Sequence, residues 1–218
     1  VRTGSRLTQL RLRCGRAEVG PEDLLRLHDE TGLIDVPFDR AEVMEHKSLS
    51  LRLDLGGQET DGVVGWRARH HAGIVDIDRP AQYDPADYWE PVTARHGGII
   101  LNPDDFYILA TREAVTVPPD YAAEMVAYDT LVGEFRVHYA GFFDPGFGWD
   151  PNDRTTGSRG VLEVRSHDVP FLLEHEQVIG RLRYERLTDR PEKIYGAGIG
   201  SHYQGQGLKL AKQFKAPA

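Results

Sequence analysis

The sequence predicts a mainly β, all-β-class protein with a few short helices, and three observations carry that expectation. Glycine (23) and proline (13) are scattered among short apolar stretches instead of being pooled in one linker, the punctuation expected of many short strands joined by turns. From Lys47 to Leu55, Leu49, Leu51, Leu53 and Leu55 alternate with Ser48, Ser50, Arg52 and Asp54, the period of a half-buried strand. From Val178 to Glu185, Val178, Leu182 and Tyr184 fall on one side and Arg181, Arg183 and Glu185 on the other.

Taken in chain order, Pro21 to Thr31 predicts a helix, with Pro21 at its first position, Leu24, Leu27 and His28 on one side and Gly32 as the stop. A shorter helix is expected from Asp84-Pro85. Strands are expected at Lys47 to Leu55, Gly73 to Ile77, Gly98 to Leu101, Phe106 to Ala110, Ala114 to Val117, Glu134 to Tyr139, Gly160 to Arg165, Pro170 to Leu173 and Val178 to Glu185. The tail from Gly196 is Gly-rich, then basic, with little core-forming content, and reads as a flexible arm. Gly4 to Leu12 resembles Glu176 to Tyr184 in its apolar positions and its Leu-Arg-apolar ending. On that similarity, residues 1–15 are expected to be the terminal strand of a preceding repeat; the helix, strand and tail readings then make 16–40 a helical linker, 41–195 the β domain and 196–218 a flexible arm.

Composition narrows the function. At 218 residues, 40% hydrophobic and 28% charged, the chain can bury the core of one domain plus appendages. No apolar run approaches the ~18–20 residues of a membrane helix, and the stretch from Val1 to Arg6 lacks the apolar core of a signal peptide. A cytoplasmic protein with no membrane partner is expected. Lys and Arg total 26 against 34 Asp and Glu, and the net charge of -8 argues against a nucleic-acid polymer as partner. The single cysteine, Cys14, forms no internal disulfide and excludes any zinc site needing two thiolates, including that of the zinc-dependent nucleobase deaminases. The nine histidines show no H-E-x-x-H spacing, and His70-His71 sits in a turn-like stretch without a matching carboxylate motif. Gly196 to Gly200 follows no βαβ pattern, so it does not read as a dinucleotide fingerprint.

Chemistry is concentrated between Glu134 and Arg165, where two strands flank the turn Asp144-Pro145-Gly146-Phe147-Gly148 and the second strand carries Glu163 among Val161, Leu162 and Val164. A carboxylate desolvated in an apolar strand would gain the proton affinity of a general base near neutral pH. An ordinary glutamate on a solvated strand face fits the same pattern.

The ordered segments Phe106 to Pro118, His138 to Gly148, Gly160 to Val164 and Val178 to Glu185, followed by a Tyr-Gln-Gly tail, resemble the dCTP deaminase branch of the dUTPase-like superfamily. The chain is most similar to the long bacterial two-repeat 2'-deoxycytidine 5'-triphosphate deaminases, over roughly residues 45–215, with residues 1–15 matching the end of a first repeat. The resemblance implies a distorted β-barrel or jelly roll, a homo-oligomer with a trimer-like arrangement of repeats, and active sites between neighbours. It implies hydrolytic deamination of dCTP to dUTP and ammonia, supplying dUTP for thymidylate synthesis. It further implies no zinc, Mg2+ carried by the nucleotide triphosphate, and dTTP as an inhibitor.

By the same resemblance, Glu163 is the catalytic glutamate that activates water, and Ala140 supplies a backbone carbonyl to that water. Asp144 contacts the deoxyribose, Val161 lies beside the base, and Tyr195 and Gln206 bind the nucleotide, over which the 196–218 arm is expected to close. Tyr203 keeps the local tail pattern. Two departures stand out. A Ser-Ser-x-x-x-Arg stretch is expected near Ala127 to Leu131, where the chain reads Ala-Tyr-Asp-Thr-Leu, and a tail lysine is replaced by His202. The absent serine and arginine could come from an upstream repeat, or from Arg136 or His138. A dUTPase-like pyrophosphatase and a non-catalytic repeat that binds nucleotide and oligomerises are the rival readings.

Overall fold

A computed structural model describes residues 12–58, 60–127, 135–138, 141–153, 157–166, 168–196 and 207–216; residues 127 and 135–138 are described in backbone only. Helix α1, Pro21–Thr31, has the predicted bounds: Pro21 opens it, and Gly32 closes it at φ 68 with its N–H donating to the His28 carbonyl at 2.8 Å. Leu24, Leu25 and Leu27 are its buried residues. A second helix, α2 at Arg40–His46, was not expected from the sequence; the Asp39 side chain caps it by accepting from the Ala41 N–H at 2.8 Å. Asp84 caps the short α3, Pro85–Tyr88, in the same way.

The remainder of the regular structure is antiparallel β. One sheet runs β1 (Leu49–Arg52), β11 (Val178–Arg186), β6 (Tyr121–Ala127) and β8 (Phe142–Phe143). The other runs β3 (Trp89–Thr93), β2 (Val63–Ala68), β5 (Phe106–Val115), β9 (Ser158–Ser166) and β7 (Phe135–His138), and β10 (Phe171–Glu174) pairs with β4 (Gly98–Leu101) as a ribbon. A single core joins them: Leu49, Leu51, Leu182 and Met125 of the first sheet meet Val64, Leu109, Leu162 and Val164 of the second. Antiparallel sheets around one shared core, with three helices among the described residues, match the mainly β class that the sequence predicts. At the centre of the core the Tyr184 hydroxyl, fully buried, donates to the Thr116 carbonyl at 2.7 Å.

Three differences from the sequence reading have physical causes. No strand forms at Gly73 to Ile77; Ile74 is 95% exposed, and the short apolar run finds no sheet neighbour. The strands expected at Phe106 to Ala110 and Ala114 to Val117 are one strand, β5, with a register shift between Ala110 and Ala114. Its polar middle is satisfied internally, because the buried Glu113 carboxylate accepts from the Arg52 N–H at 2.7 Å and Nε at 2.8 Å. Arg181 and Glu185, which share the face of β11 opposite Leu182 and Tyr184, are buried all the same: Arg181 reaches Glu42 of α2 at 3.3 Å and Glu185 meets Arg13 at 2.8 Å.

The third difference is the tail. Residues 207–216 do not hang free: the Ala81 N–H donates to the Lys212 carbonyl and the Lys215 N–H to the Tyr83 carbonyl, both at 2.9 Å, while Leu210 is buried. One leucine and one phenylalanine, too few to register as core-forming in the sequence, suffice to anchor it. The similarity segment at residues 4–11 lies outside the described residues. Beyond it, residues 17–19 run beside the second half of β11, with the Val19 N–H donating to the Tyr184 carbonyl at 2.9 Å and the Arg186 N–H to the Ala17 carbonyl at 2.8 Å.

Candidate active site

Strand β9 alternates strictly: Ser158, Gly160, Leu162, Val164 and Ser166 are buried, and Arg159, Val161, Glu163 and Arg165 point outward. Leu162 and Val164, which made Glu163 look embedded in apolar surroundings, therefore face the opposite side of the sheet. Within this single chain Glu163 is exposed, so the desolvation expected of it does not come from its sequence neighbours. Its register partners are Ile108 on β5 and His138 on β7, and its carboxylate has no hydrogen-bond partner among the described residues.

The turn after β8 builds the adjoining wall. Gly146 and Gly148 adopt φ 93 and φ 65, and a Cβ at Gly148 would stand 2.0 Å from the Val115 carbonyl oxygen, so only glycine fits. The Phe147 N–H donates to the Asp144 carbonyl at 3.0 Å, and the turn is tied to the chain beyond β5 by Gly146 N–H to Val117 O at 2.9 Å and Val117 N–H to Phe147 O at 2.8 Å. Tyr195 then docks on the turn through its N–H to the Pro145 carbonyl at 2.7 Å. Its ring lies 5.5 Å from that of Phe147, which meets Phe143 edge-on at 5.0 Å.

These elements enclose a cavity of about 390 Å³, inside the ~300–1,000 Å³ range of small-molecule sites. Glu163, Val161, Asp144 and Tyr195 all line it, together with Ile108, Met125, Phe142, Phe143 and Phe147. Four residues singled out from the sequence thus meet at one cavity. The others, Ala140, His202 and Gln206, lie outside the described residues, as do Tyr203 and most of the Ala127 to Leu131 stretch. Arg136 and His138 are described in backbone only.

Two cations line the cavity that the sequence reading missed, Arg159 and Lys209. Arg159 carried a legible signal, since it shares the parity of Glu163 four residues away, and it forms an ion pair with Asp54. Lys209 sits in the tail and carried none. Among the described residues no group of three or more His, Cys, Asp or Glu side chains could hold a metal. His70 instead pairs with the buried Asp105 at 2.7 Å.

Comparison with known proteins bears on the same region. Residues 21–214 match the family model for the C-terminal domain of 2'-deoxycytidine 5'-triphosphate deaminase. The chain is 31% identical over 180 residues to a dUMP-forming dCTP deaminase of Beutenbergia cavernae, covering 78% of this chain and 80% of that protein. It is 30% identical over 190 residues to a dCTP deaminase of Haloarcula marismortui, covering 84% and 88%. The crystal structure of 2'-deoxycytidine 5'-triphosphate deaminase from Agrobacterium tumefaciens superposes with a TM-score of 0.72 at 50% identity, covering 82% of this chain and 51% of that one. The chain thus spans about half the length of the Agrobacterium protein.

Proposed function

Because this chain belongs to the 2'-deoxycytidine 5'-triphosphate deaminase family, we propose that it deaminates dCTP hydrolytically, with Glu163 as the proton shuttle. The observation that carries the assignment of residues is the meeting of Glu163, Val161, Asp144 and Tyr195 at one cavity. Glu163 takes a proton from water as the oxygen attacks C4 of the cytosine, and delivers it to N3. The hydroxyl now on C4 gives up its proton through the same carboxyl to the amino group, the C4–N bond breaks to release ammonia as the C4 carbonyl forms, and dUTP remains. Val161 flanks the base, Asp144 the deoxyribose, and Tyr195 closes the aromatic side. The Ala140 carbonyl helps to hold the attacking water, and His202 and Gln206 reach the nucleotide from the tail. The substrate is the magnesium complex of the triphosphate, its metal held by phosphate oxygens.

The outward face of β9 supports a site completed by a neighbouring chain or repeat, which would supply the desolvation that this chain does not. A homo-oligomer with trimer-like packing and a cytoplasmic location belong to the same reading, as does inhibition by dTTP. Light scattering of the purified protein tests the assembly. A second reading is favoured by relatives described as dUMP-forming: deamination followed by release of pyrophosphate. Measuring ammonia and pyrophosphate from the same dCTP sample separates the two.

The decisive variant is Glu163→Gln, which keeps the shape of the side chain and removes its basicity. Turnover should fall by at least ~10²–10⁴-fold while dCTP binding persists. Near-normal ammonia release from that variant would remove Glu163 from the mechanism.

A further inference from the structure

We propose that Lys209 is a phosphate-binding residue of the Glu163 cavity and sets its preference for the triphosphate, held there by the docked end of the tail. The inference rests on the reading of this cavity as a nucleotide site. Charge is the first argument. A nucleoside triphosphate must enter a cavity lined by two acidic residues, Asp144 and Glu163, on a chain with a net charge of -8, so a cation in its wall favours entry. Arg159 is committed to Asp54 by an ion pair. Lys209 lines the same cavity and has no anionic partner among the described residues. An ammonium offers three donors and no acceptor, which suits phosphate oxygens.

Preorganisation is the second argument. Directly after Lys209, Leu210 is buried, the Gln213 side chain donates to the Ile77 carbonyl at 2.8 Å, and the Phe214 ring packs 5.4 Å from Tyr88 and 5.9 Å from Trp89. Backbone pairing with residues 81–83 completes the anchor. The segment 77–88, where the sequence suggested a short helix from Asp84-Pro85, thus serves as the dock that fixes the backbone next to Lys209. Phe214 is accordingly a positioning residue, acting through Lys209.

The test is binding and turnover of the full chain with dCTP, dCMP and deoxycytidine. Lys209→Ala should weaken dCTP binding by about 10- to 100-fold, the range for losing one hydrogen bond to a charged group. Binding of dCMP should fall less and that of deoxycytidine not at all, with kcat for dCTP unchanged as KM rises and Lys209→Arg recovering part of the loss. Phe214→Ala should raise KM for dCTP in the same direction without lowering kcat. Wild-type-like dCTP binding by Lys209→Ala, or equal losses for dCTP and deoxycytidine, would overturn the proposal while leaving the deaminase reading intact. A wild-type protein that binds none of the three would overturn both.

Discussion

Asp105 shows how one buried side chain can be held in its charged form. Its carboxylate, 7% exposed, accepts from His70 Nε2 at 2.7 Å, Asn102 Nδ2 at 3.2 Å and the Tyr107 hydroxyl at 3.3 Å, with Arg67 at 3.5 Å. Burial pushes the carboxyl up, but the Asn102 and His70 hydrogen bonds, the Arg67 charge and the Tyr107 hydroxyl together outweigh it, and the group stays below its ordinary value of 3.8. The folded state therefore holds the charged form more strongly than the unfolded chain does. The stability this confers is complete above the ordinary value and is lost as pH falls through the depressed one. Asp105→Asn should accordingly unfold at lower temperature than wild type at pH 7, with the gap closing as pH falls below 4. Thermal unfolding at pH 7, 5 and 3 measures it, and a gap of constant size would show that charge is not the cause.

At the scale of the element, the turn from Asp144 to Gly148 is hydrogen-bonded to Val117 just beyond β5 and to Tyr195, and at Gly148 it packs against the end of β5 and the start of β9, so it transmits backbone geometry to the cavity. Gly148→Ala would place a Cβ 2.0 Å from Val115 O and 2.7 Å from the Ser158 nitrogen, whereas Gly97→Ala, also at positive φ (78), meets nothing within 4 Å. Both carry the left-handed penalty of about 1–2 kcal/mol. Only Gly148→Ala must also move backbone, so it should lose clearly more stability in urea denaturation and weaken nucleotide binding; equal losses would show that the contact with Val115 is not limiting. The turn was legible in the sequence because Asp, Pro and Gly each have a local backbone reason to be there. So were α1, with its proline start and glycine stop, and β1, with its alternating leucines. Strand β6 was not: Ala122, Ala123, Glu124 and Met125 favour a helix locally, and the pairing with β11 overrides that preference. Strand β2 was obscured by Gly65, where a Cβ would come within 2.4 Å of Leu109, so the interruption in its pattern is a packing requirement supplied from another strand. Glu163 could be singled out from its strand and the family pattern, and the sequence left a desolvated and a solvated carboxylate both open; the alternation of β9, which sends Leu162 and Val164 to the other face, decides for the solvated one within this chain.

At the scale of the whole molecule, the tail contributes to the fold as well as to the cavity. Burying a leucine such as Leu210 is worth about 1.5–3 kcal/mol, and the half-buried Phe214 completes an aromatic cluster with Tyr83, Tyr88 and Trp89. Without the tail, those rings and the segment from Ile77 to Tyr83 lose the surface they pack on. In a chain of this length, each kcal/mol lost lowers the melting temperature by about 2–4 °C. A tail acting only as a nucleotide-closing arm would leave that temperature unchanged when removed. An anchored tail predicts that deleting residues 207–218 lowers it by several degrees even without nucleotide, and that Leu210→Ala alone reproduces part of the fall. Lys209→Ala, which removes no buried contact, should leave the melting temperature unchanged in the absence of nucleotide and diminish only the stabilisation that added dCTP provides. Scanning calorimetry of the three variants with and without dCTP distinguishes the two contributions. A deletion that melts with the wild type would mean that the dock at residues 77–88 holds itself together and the tail rests on it without stabilising it.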